Sequence, residues 1–240
     1  MNNAHKVLIL ILGTHNERYL WPIKTILSTY LSDIPEGFDY RIYFGARLLS
    51  ESSDLCPDKS IILDCKDSLY FVSQKTWLAY EYIVKSGLID DFDFIIRPSL
   101  SSYVNTGALK EFLSSKPKFE YCSSPGIGFE KFQYPSGCGY IVSKDIIKRL
   151  ITDKDSLSEF SSPEFVGKDD VALGSFLKKN GINIENFGRF DAHLSKPIQI
   201  LSKNQLNNII FRCRKSIAAS PDSVNDMLNI HFQIKKSQAH

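Results

Sequence analysis

The sequence contains no apolar stretch that could cross a membrane. Its longest apolar run near the N-terminus, "VLILIL" at residues 7 to 12, is far short of the roughly 20 residues a spanning helix needs, and Lys6 is the only charge placed close before it. No excess of charge is present either: 29 Lys and Arg face 27 Asp and Glu, for a net of +2. That balance excludes a global field aimed at nucleic acid or an acidic membrane, so any basic site must be local. The five cysteines, Cys56, Cys65, Cys122, Cys138 and Cys213, are an odd number without CxxC or zinc-type His spacing, which excludes a disulfide framework and a structural zinc site. They read as buried thiols of a reducing compartment, and a cytoplasmic protein is expected. Internal repeats, low-complexity tracts and a linker are absent, so residues 1–240 are expected to form one domain with segment 200–240 packed on it.

What is present alternates in a regular way. Continuous apolar runs, "KVLILILG", "DYRIYFGA", "SIILDC" and "DFDFIIRP", are separated by amphipathic segments, the pattern of strands covered on both faces by crossover helices. "WPIKTILSTYL" predicts a helix with Pro22 in its first turn, and "VSQKTWLAYEYIVKSG" predicts a second that stops at a glycine. A short strand is expected at "FEYCSS". In "PSGCGYIVSKDIIKRLI" a glycine pair precedes a strand, then a helix with Ser143 as N-cap. "GKDDVALGSFLKKNG" predicts a helix with two carboxylates at its start, and "SVNDMLNIHFQI" a closing helix. The expected class is α/β, with a mixed, mostly parallel central sheet flanked by helices.

Four stretches in order, spanning residues 6 to about 200, carry a resemblance. "DSLYFVSQKTW", "FDFIIRPSLSSYVN", "YPSGCGYIVSKDIIKRL" and "GKDDVALGSFLKKNGI" resemble segments of the fringe-like and β-1,3-galactosyl- or N-acetylglucosaminyltransferases, inverting enzymes with a GT-A (Rossmann-like) fold. The resemblance implies a nucleotide-sugar donor, a glycan acceptor and no nucleic acid partner. It also implies Asp170, directly before a Val, as the base that deprotonates the acceptor hydroxyl, with Asp169 as its orienting neighbour or the roles reversed. One of the two could instead simply cap the helix.

Where the family carries three acids that bind a divalent ion, this chain has Ser99, Leu100 and Ser101. A neutral hydroxyl brings no charge to offset dehydration of a hard cation, so the metal site as the family builds it is absent and no cofactor is expected. Asp90, Asp91 and Asp93 lie upstream of the strand and read as a solvated turn. Three outcomes are open: cationic side chains replace the ion, the chain is a degenerate nucleotide-sugar or glycan binder, or unusual ligands recruit a metal. "FRCRKS" favours the first, because Arg212, Arg214 and Lys215 could neutralise a diphosphate; a solvated basic run is the alternative. His193 falls near a late metal-binding His of the family and, without the acids, reads as a phosphate-contacting or a structural histidine.

Nucleotide contacts are expected at the C-terminal ends of the first strands, from Thr14, His15, Arg18, Asp67, Lys75 and Arg97, with Lys75 holding either a neighbouring carboxylate or a phosphate, and each residue alone equally readable as a fold-stabilising polar group. Tyr134, Gly137 and Gly139 are assigned to the acceptor or sugar pocket, although paired glycines also make ordinary tight turns. The expected setting is a bacterial or viral glycan pathway, such as capsule or lipopolysaccharide O-antigen, with peripheral contact to a lipid-linked acceptor.

Overall fold

The computed structural model describes residues 5–46, 59–129, 131–192, 200–213 and 221–238, with the side chains of 221 and 222 excepted. Along the chain the elements are β1 (Val7–Leu12), α1 (Leu20–Ser28), β2 (Phe38–Ala46), β3 (Ser60–Lys66), α2 (Val72–Lys85), β4 (Phe94–Pro98), β5 (Ser102–Val104) and α3 (Thr106–Leu113). Three short strands follow, β6 (Cys122–Ser124), β7 (Ile127–Phe129) and β8 (Gln133–Pro135), then β9 (Gly139–Ser143) and the helices α4 (Lys144–Thr152), α5 (Ser156–Phe160) and α6 (Asp169–Lys179). The chain closes with β10 (Ile184–Asn186), β11 (Arg189–Asp191), α7 (Lys203–Leu206), β12 (Ile210–Arg212) and α8 (Pro221–Gln238).

Seven strands form the central sheet in the order β10-β6-β9-β4-β1-β2-β3. β1 pairs in parallel with both β2 and β4, β2 with β3, and β6 with β10; β9 runs antiparallel between β4 and β6. The alternation of "VLILIL" explains why a strand with no polar residue sits at the centre. Val7, Ile9 and Ile11 meet α1, α3 and α8 on one face, while Leu8 and Leu10 meet α2, α4 and α6 on the other. A three-stranded sheet, β11-β12-β5, and the hairpin β7-β8 lie outside the main sheet. Met227, Ile230 and Ile234 of α8 are buried in the first core.

Ser143 is the N-cap residue of α4, as expected, but its side chain makes no capping hydrogen bond, its hydroxyl oxygen accepting the Tyr121 N–H instead (3.0 Å). Neither Asp169 nor Asp170 caps α6, whose N-cap position is Lys168. The acidic turn before β4 is a surface feature: Asp90 pairs with Lys148, and Asp93 with Lys118 and the Lys6 N–H. The four described cysteines are free, Cys122, Cys138 and Cys213 buried and Cys65 half-buried, while Cys56 lies outside the described residues. Among the described residues no helix is long and apolar enough to cross a membrane.

A buried ion pair ties the sheet to its helices. Arg97 of β4, 2% exposed, donates through Nη2 to Oδ2 of Asp169 on α6 at 2.8 Å. Around it, Arg97 Nε donates to the Tyr43 hydroxyl (3.4 Å), which lies 2.9 Å from Thr76 Oγ1, and Thr76 in turn donates to Asp169 Oδ2 (3.2 Å). Tyr140 also donates to that oxygen (3.2 Å) and receives Tyr80 at 2.9 Å. Burial alone would lower the Arg97 pKa, but Asp169 and the surrounding tyrosines raise it well above the ordinary arginine value, so the charge is permanent. Removing one partner strands the other charge in the core, so Asp169→Leu should destabilise the fold by about 3–5 kcal/mol. Combining it with Arg97→Met should recover most of that loss, as read from denaturant midpoints of the three variants.

Candidate functional site

β1, β2, β3 and β4 are mutually parallel, and their C-terminal ends share one edge. The strand order reverses at β1, where chain direction along the sheet switches between β2 and β4 and leaves a crevice. A cavity of about 950 Å³ opens there. Its walls take Thr14 and Arg18 from beyond β1, Asp67 and Tyr70 from beyond β3, Ser99, Leu100 and Ser101 from beyond β4, Tyr134 and Gly137 around β8, Asp169 and Asp170 from α6, and Arg212 from β12. Residues scattered from 14 to 212 thus meet in one opening.

Consecutive carboxylates on α6 take opposite environments. Asp169 points into the sheet–helix joint and is 3% exposed. Asp170 is half-buried, faces the cavity, and its Oδ1 accepts the Val171 N–H at 2.9 Å. Burial, then the neighbouring Asp169 charge, push its pKa up to about 6 against the pull of Arg97. A carboxylate with a pKa near neutrality is poised to accept a proton at physiological pH.

Gly137 shapes this environment. A Cβ there would stand 2.7 Å from Asp170 Oδ2, so the missing side chain makes room for the carboxylate. The Gly137 carbonyl accepts from Arg97 Nη1 at 3.2 Å, which ties the loop under Asp170 to the buried pair. Tyr134 lines the cavity with its ring over Gly128, its cross-strand partner. Gly139, by contrast, lies within β9 beneath Ile210 and is not in the cavity wall.

Asp67 and Lys75, both on the cavity wall, pair with each other, which is the carboxylate contact the sequence left open for Lys75. Asp67 Oδ1 accepts from Lys75 Nζ (2.5 Å) and the Gly45 N–H (3.4 Å), while Oδ2 accepts from the Thr14 hydroxyl (3.0 Å) and the His15 N–H. Four donors thus reach a carboxylate with roughly four acceptor sites. Lys75, 1% exposed, also donates to the Gly13 carbonyl at 2.9 Å. The pair braces the ends of β1, β2 and β3 against one another. Burial works against ionising Asp67, yet Lys75, His15 and Thr14 outweigh it and hold the carboxyl below its ordinary range. The His15 ring is stacked on Phe44, with centroids 4.9 Å apart and planes at 21°, and does not line the cavity. Arg97 lines the cavity too, with Nη2 given to Asp169 and Nη1 to the Gly137 carbonyl. Thr14 and Arg18 remain on the wall.

The serine run forms a neutral hydroxyl chain. Ser102 donates to the Cys138 carbonyl (2.6 Å), so Ser99, 2.9 Å away, donates to Ser102; Ser101 lies 3.2 Å from Ser99. Leu100 is packed into the core. Among the described residues no group of three or more His, Cys, Asp or Glu converges to hold a metal, and three hydroxyls bonded to one another do not fit the hard divalent ion that the resemblance implies. Arg212 stands beside them: it is paired across the β12–β5 ladder with Ser102, and the Cys213 N–H donates to the Ser101 carbonyl at 2.8 Å. No side chain among the described residues pairs with its guanidinium. Arg214, Lys215 and His193 lie outside the described residues.

One cation on this wall was not anticipated. Arg189 of β11 donates through Nε to Asp191 (2.8 Å) and through Nη1 to the Pro125 carbonyl and the Ser136 hydroxyl, both at 3.1 Å. Its sequence signal is the alternation in "GRFD", which puts Arg and Asp on one face of a strand, but a three-residue strand is too short to be read from periodicity.

No family model matches the sequence, and no curated protein matches it. Among solved structures the chain is similar to one described as the crystal structure of a glycosyltransferase involved in the glycosylation of the major capsid of PBCV-1. Sequence identity is 12%, 94% of this chain and 98% of that chain are covered, and the TM-score is 0.52. The likeness does not single out the fringe-like family. It shows that the chain shares that structure's Rossmann-like α/β fold over most of its length.

Proposed function

We propose that the chain is an inverting glycosyltransferase that moves a sugar from a nucleotide-sugar donor to a glycan hydroxyl, with Asp170 as the base and arginine in place of a metal. The observation that carries this reading is that a carboxylate with a raised pKa and an arginine that no side chain among the described residues pairs with face the same cavity at the C-terminal edge of the sheet. In a single displacement Asp170 takes the proton of the acceptor hydroxyl while that oxygen attacks the anomeric carbon. The bond to the diphosphate breaks, and its electron pair leaves on the phosphate oxygen. Arg212 stabilises that developing charge, and its planar guanidinium suits two phosphate oxygens at once. Asp169 acts as a positioning residue, and Tyr134 offers a ring face to the sugar. Arg214, Lys215 and His193 are further phosphate candidates on the sequence reading alone. The proposed setting is cytoplasmic assembly of a surface glycan of a bacterium or virus.

The deciding experiment is turnover across a panel of nucleotide sugars and glycan acceptors in excess EDTA, then with Mn²⁺ added. Turnover in EDTA is expected. A strict Mn²⁺ requirement would sink the arginine reading, and donor binding without turnover would indicate a binding module. Arg212→Ala should weaken nucleoside diphosphate binding roughly 10- to 100-fold, measured by calorimetry in EDTA, because a charge-assisted contact is lost.

Asp170→Asn should abolish transfer while sparing donor binding. In the native protein the rate should rise through about pH 6 and level off above it, because only the ionised carboxylate accepts the proton. Stability should show the opposite slope. A carboxyl whose folded pKa is raised contributes stability that is complete below its unfolded pKa and lost as pH rises through about 6. Asp170→Asn should therefore be more stable than the native protein at pH 7, by about 3 kcal/mol, and this gain should vanish near pH 4 in thermal melts.

Gly137→Ala tests the loop. Its methyl group would displace Asp170 from its seat, so kcat should fall about 100-fold with donor affinity little changed.

A further inference from the structure

The charges on the cavity wall do not balance. Arg18, Lys75, Arg97, Arg189 and Arg212 stand there against Asp67, Asp169 and Asp170. Lys75 is consumed by Asp67, and Arg97 by Asp169. Three arginines are then left with Asp170, and Arg189 is the one held in a fixed direction. Of the five N–H groups of a guanidinium, Arg189 gives Nε to Asp191 (2.8 Å) and Nη1 to the Pro125 carbonyl and the Ser136 hydroxyl (3.1 Å each), with Cys138 Sγ at 3.8 Å. The two N–H groups of Nη2 have no acceptor among the described residues. Asp191 is half exposed and is not part of the wall, so water screens the pair and leaves the arginine's charge incompletely offset. Ser136, which fixes Arg189, is followed by Gly137, which seats Asp170. The guanidinium and the carboxylate therefore flank one turn. A Cβ on Gly126 would stand 3.4 Å from Arg189 Nη1, and Gly128, two residues on, lies under the Tyr134 ring.

We infer that Arg189 forms a subsite for the carboxylate of an acidic sugar, a uronic acid residue carried by the acceptor. Both edges of its guanidinium are partly taken, Nε by Asp191 and Nη1 by the turn, so the paired grip that holds two phosphate oxygens is closed to it. Nη2 alone is left, and a single fixed nitrogen suits a monoanionic group. A neutral sugar could place only a hydroxyl there, and a charge-assisted contact is roughly twice as strong as a neutral one. The position names the bearer, because the hydroxyl that Asp170 deprotonates must lie within its reach and Arg189 stands across one turn from Asp170. Tyr134 offers its ring face to the body of the same sugar. Assignment to the acceptor rests on the glycosyltransferase reading, whereas binding of the acidic sugar does not.

The test measures binding, not turnover. Methyl glycosides of glucuronic, galacturonic and mannuronic acid, and of the matching neutral hexoses, are titrated into the full chain and followed by saturation-transfer NMR. At least one uronide should bind about tenfold more tightly than its hexoside, and Arg189→Gln should remove the difference. Asp191→Asn should strengthen uronide binding about two- to fivefold by removing the competing carboxylate, a gain that damage to the fold would not produce. Inorganic pyrophosphate separates an acidic sugar from the donor's own phosphates: its affinity should fall far more with Arg212→Ala than with Arg189→Gln. The inference is overturned by the absence of any uronide preference, by a preference that survives Arg189→Gln, by no gain with Asp191→Asn, or by equal losses of pyrophosphate affinity in the two arginine variants. Uronide binding by a chain that transfers no sugar would leave the subsite standing and remove only the glycosyltransferase reading. Sugar transfer without a uronide preference would do the reverse.

Discussion

The rest of the structure depends on placing one full positive charge inside a sheet. Arg97 is on a central strand, sealed from solvent, and its guanidinium cannot lose its proton there. The fold must therefore deliver a carboxylate to the same depth, and α6 does so with Asp169. Tyr43, Thr76 and Tyr140 then occupy the remaining hydrogen-bonding positions, so residues of β2, α2, β4, β9 and α6 are fixed relative to one another. Because Asp170 is the next residue, the arrangement that satisfies the core also sets the orientation of the cavity carboxylate. Such a pair adds less to net stability than its geometry suggests, since desolvation offsets much of the attraction. Its contribution is a defined geometry.

A second pair repeats the logic at the other end of the crevice. Lys75 and Asp67 are buried together, and Gly45, Thr14 and His15 complete the carboxylate shell. Three parallel strands would otherwise end in three independent loops. Braced in this way, their ends form a rigid wall, and a ligand entering the crevice need not organise it. Both pairs lie at the strand ends where α/β folds bind their ligands.

Most of the central sheet was legible because its strands are continuous apolar runs and its helices have glycine stops and clear periodicity. The Asp169–Asp170 dyad at a helix start, the serine run after β4 and Gly137 were also readable as positions that meet. Their partners were not. Sequence offers no sign that Asp67 gathers four donors, or that Arg97 faces inward, because both follow from tertiary pairing across distant segments. Arg189 is illegible for a similar reason: β11 forms by pairing with β12, and no three-residue segment has a periodicity of its own.

The small sheet has a consequence for how the protein comes into being. β5 follows directly on the serine run, but it is completed by β12, from the far end of the chain. The central sheet can collapse from contacts made earlier in synthesis, and the carboxylate side of the cavity needs nothing beyond α6. The arginine side must wait until the last strands have left the ribosome, a pairing of long sequence separation and therefore of slow closure. A nascent chain thus has Asp169, Asp170 and Arg18 available before Arg189 and Arg212 can join the wall, and the cavity is completed only at the final stage of folding.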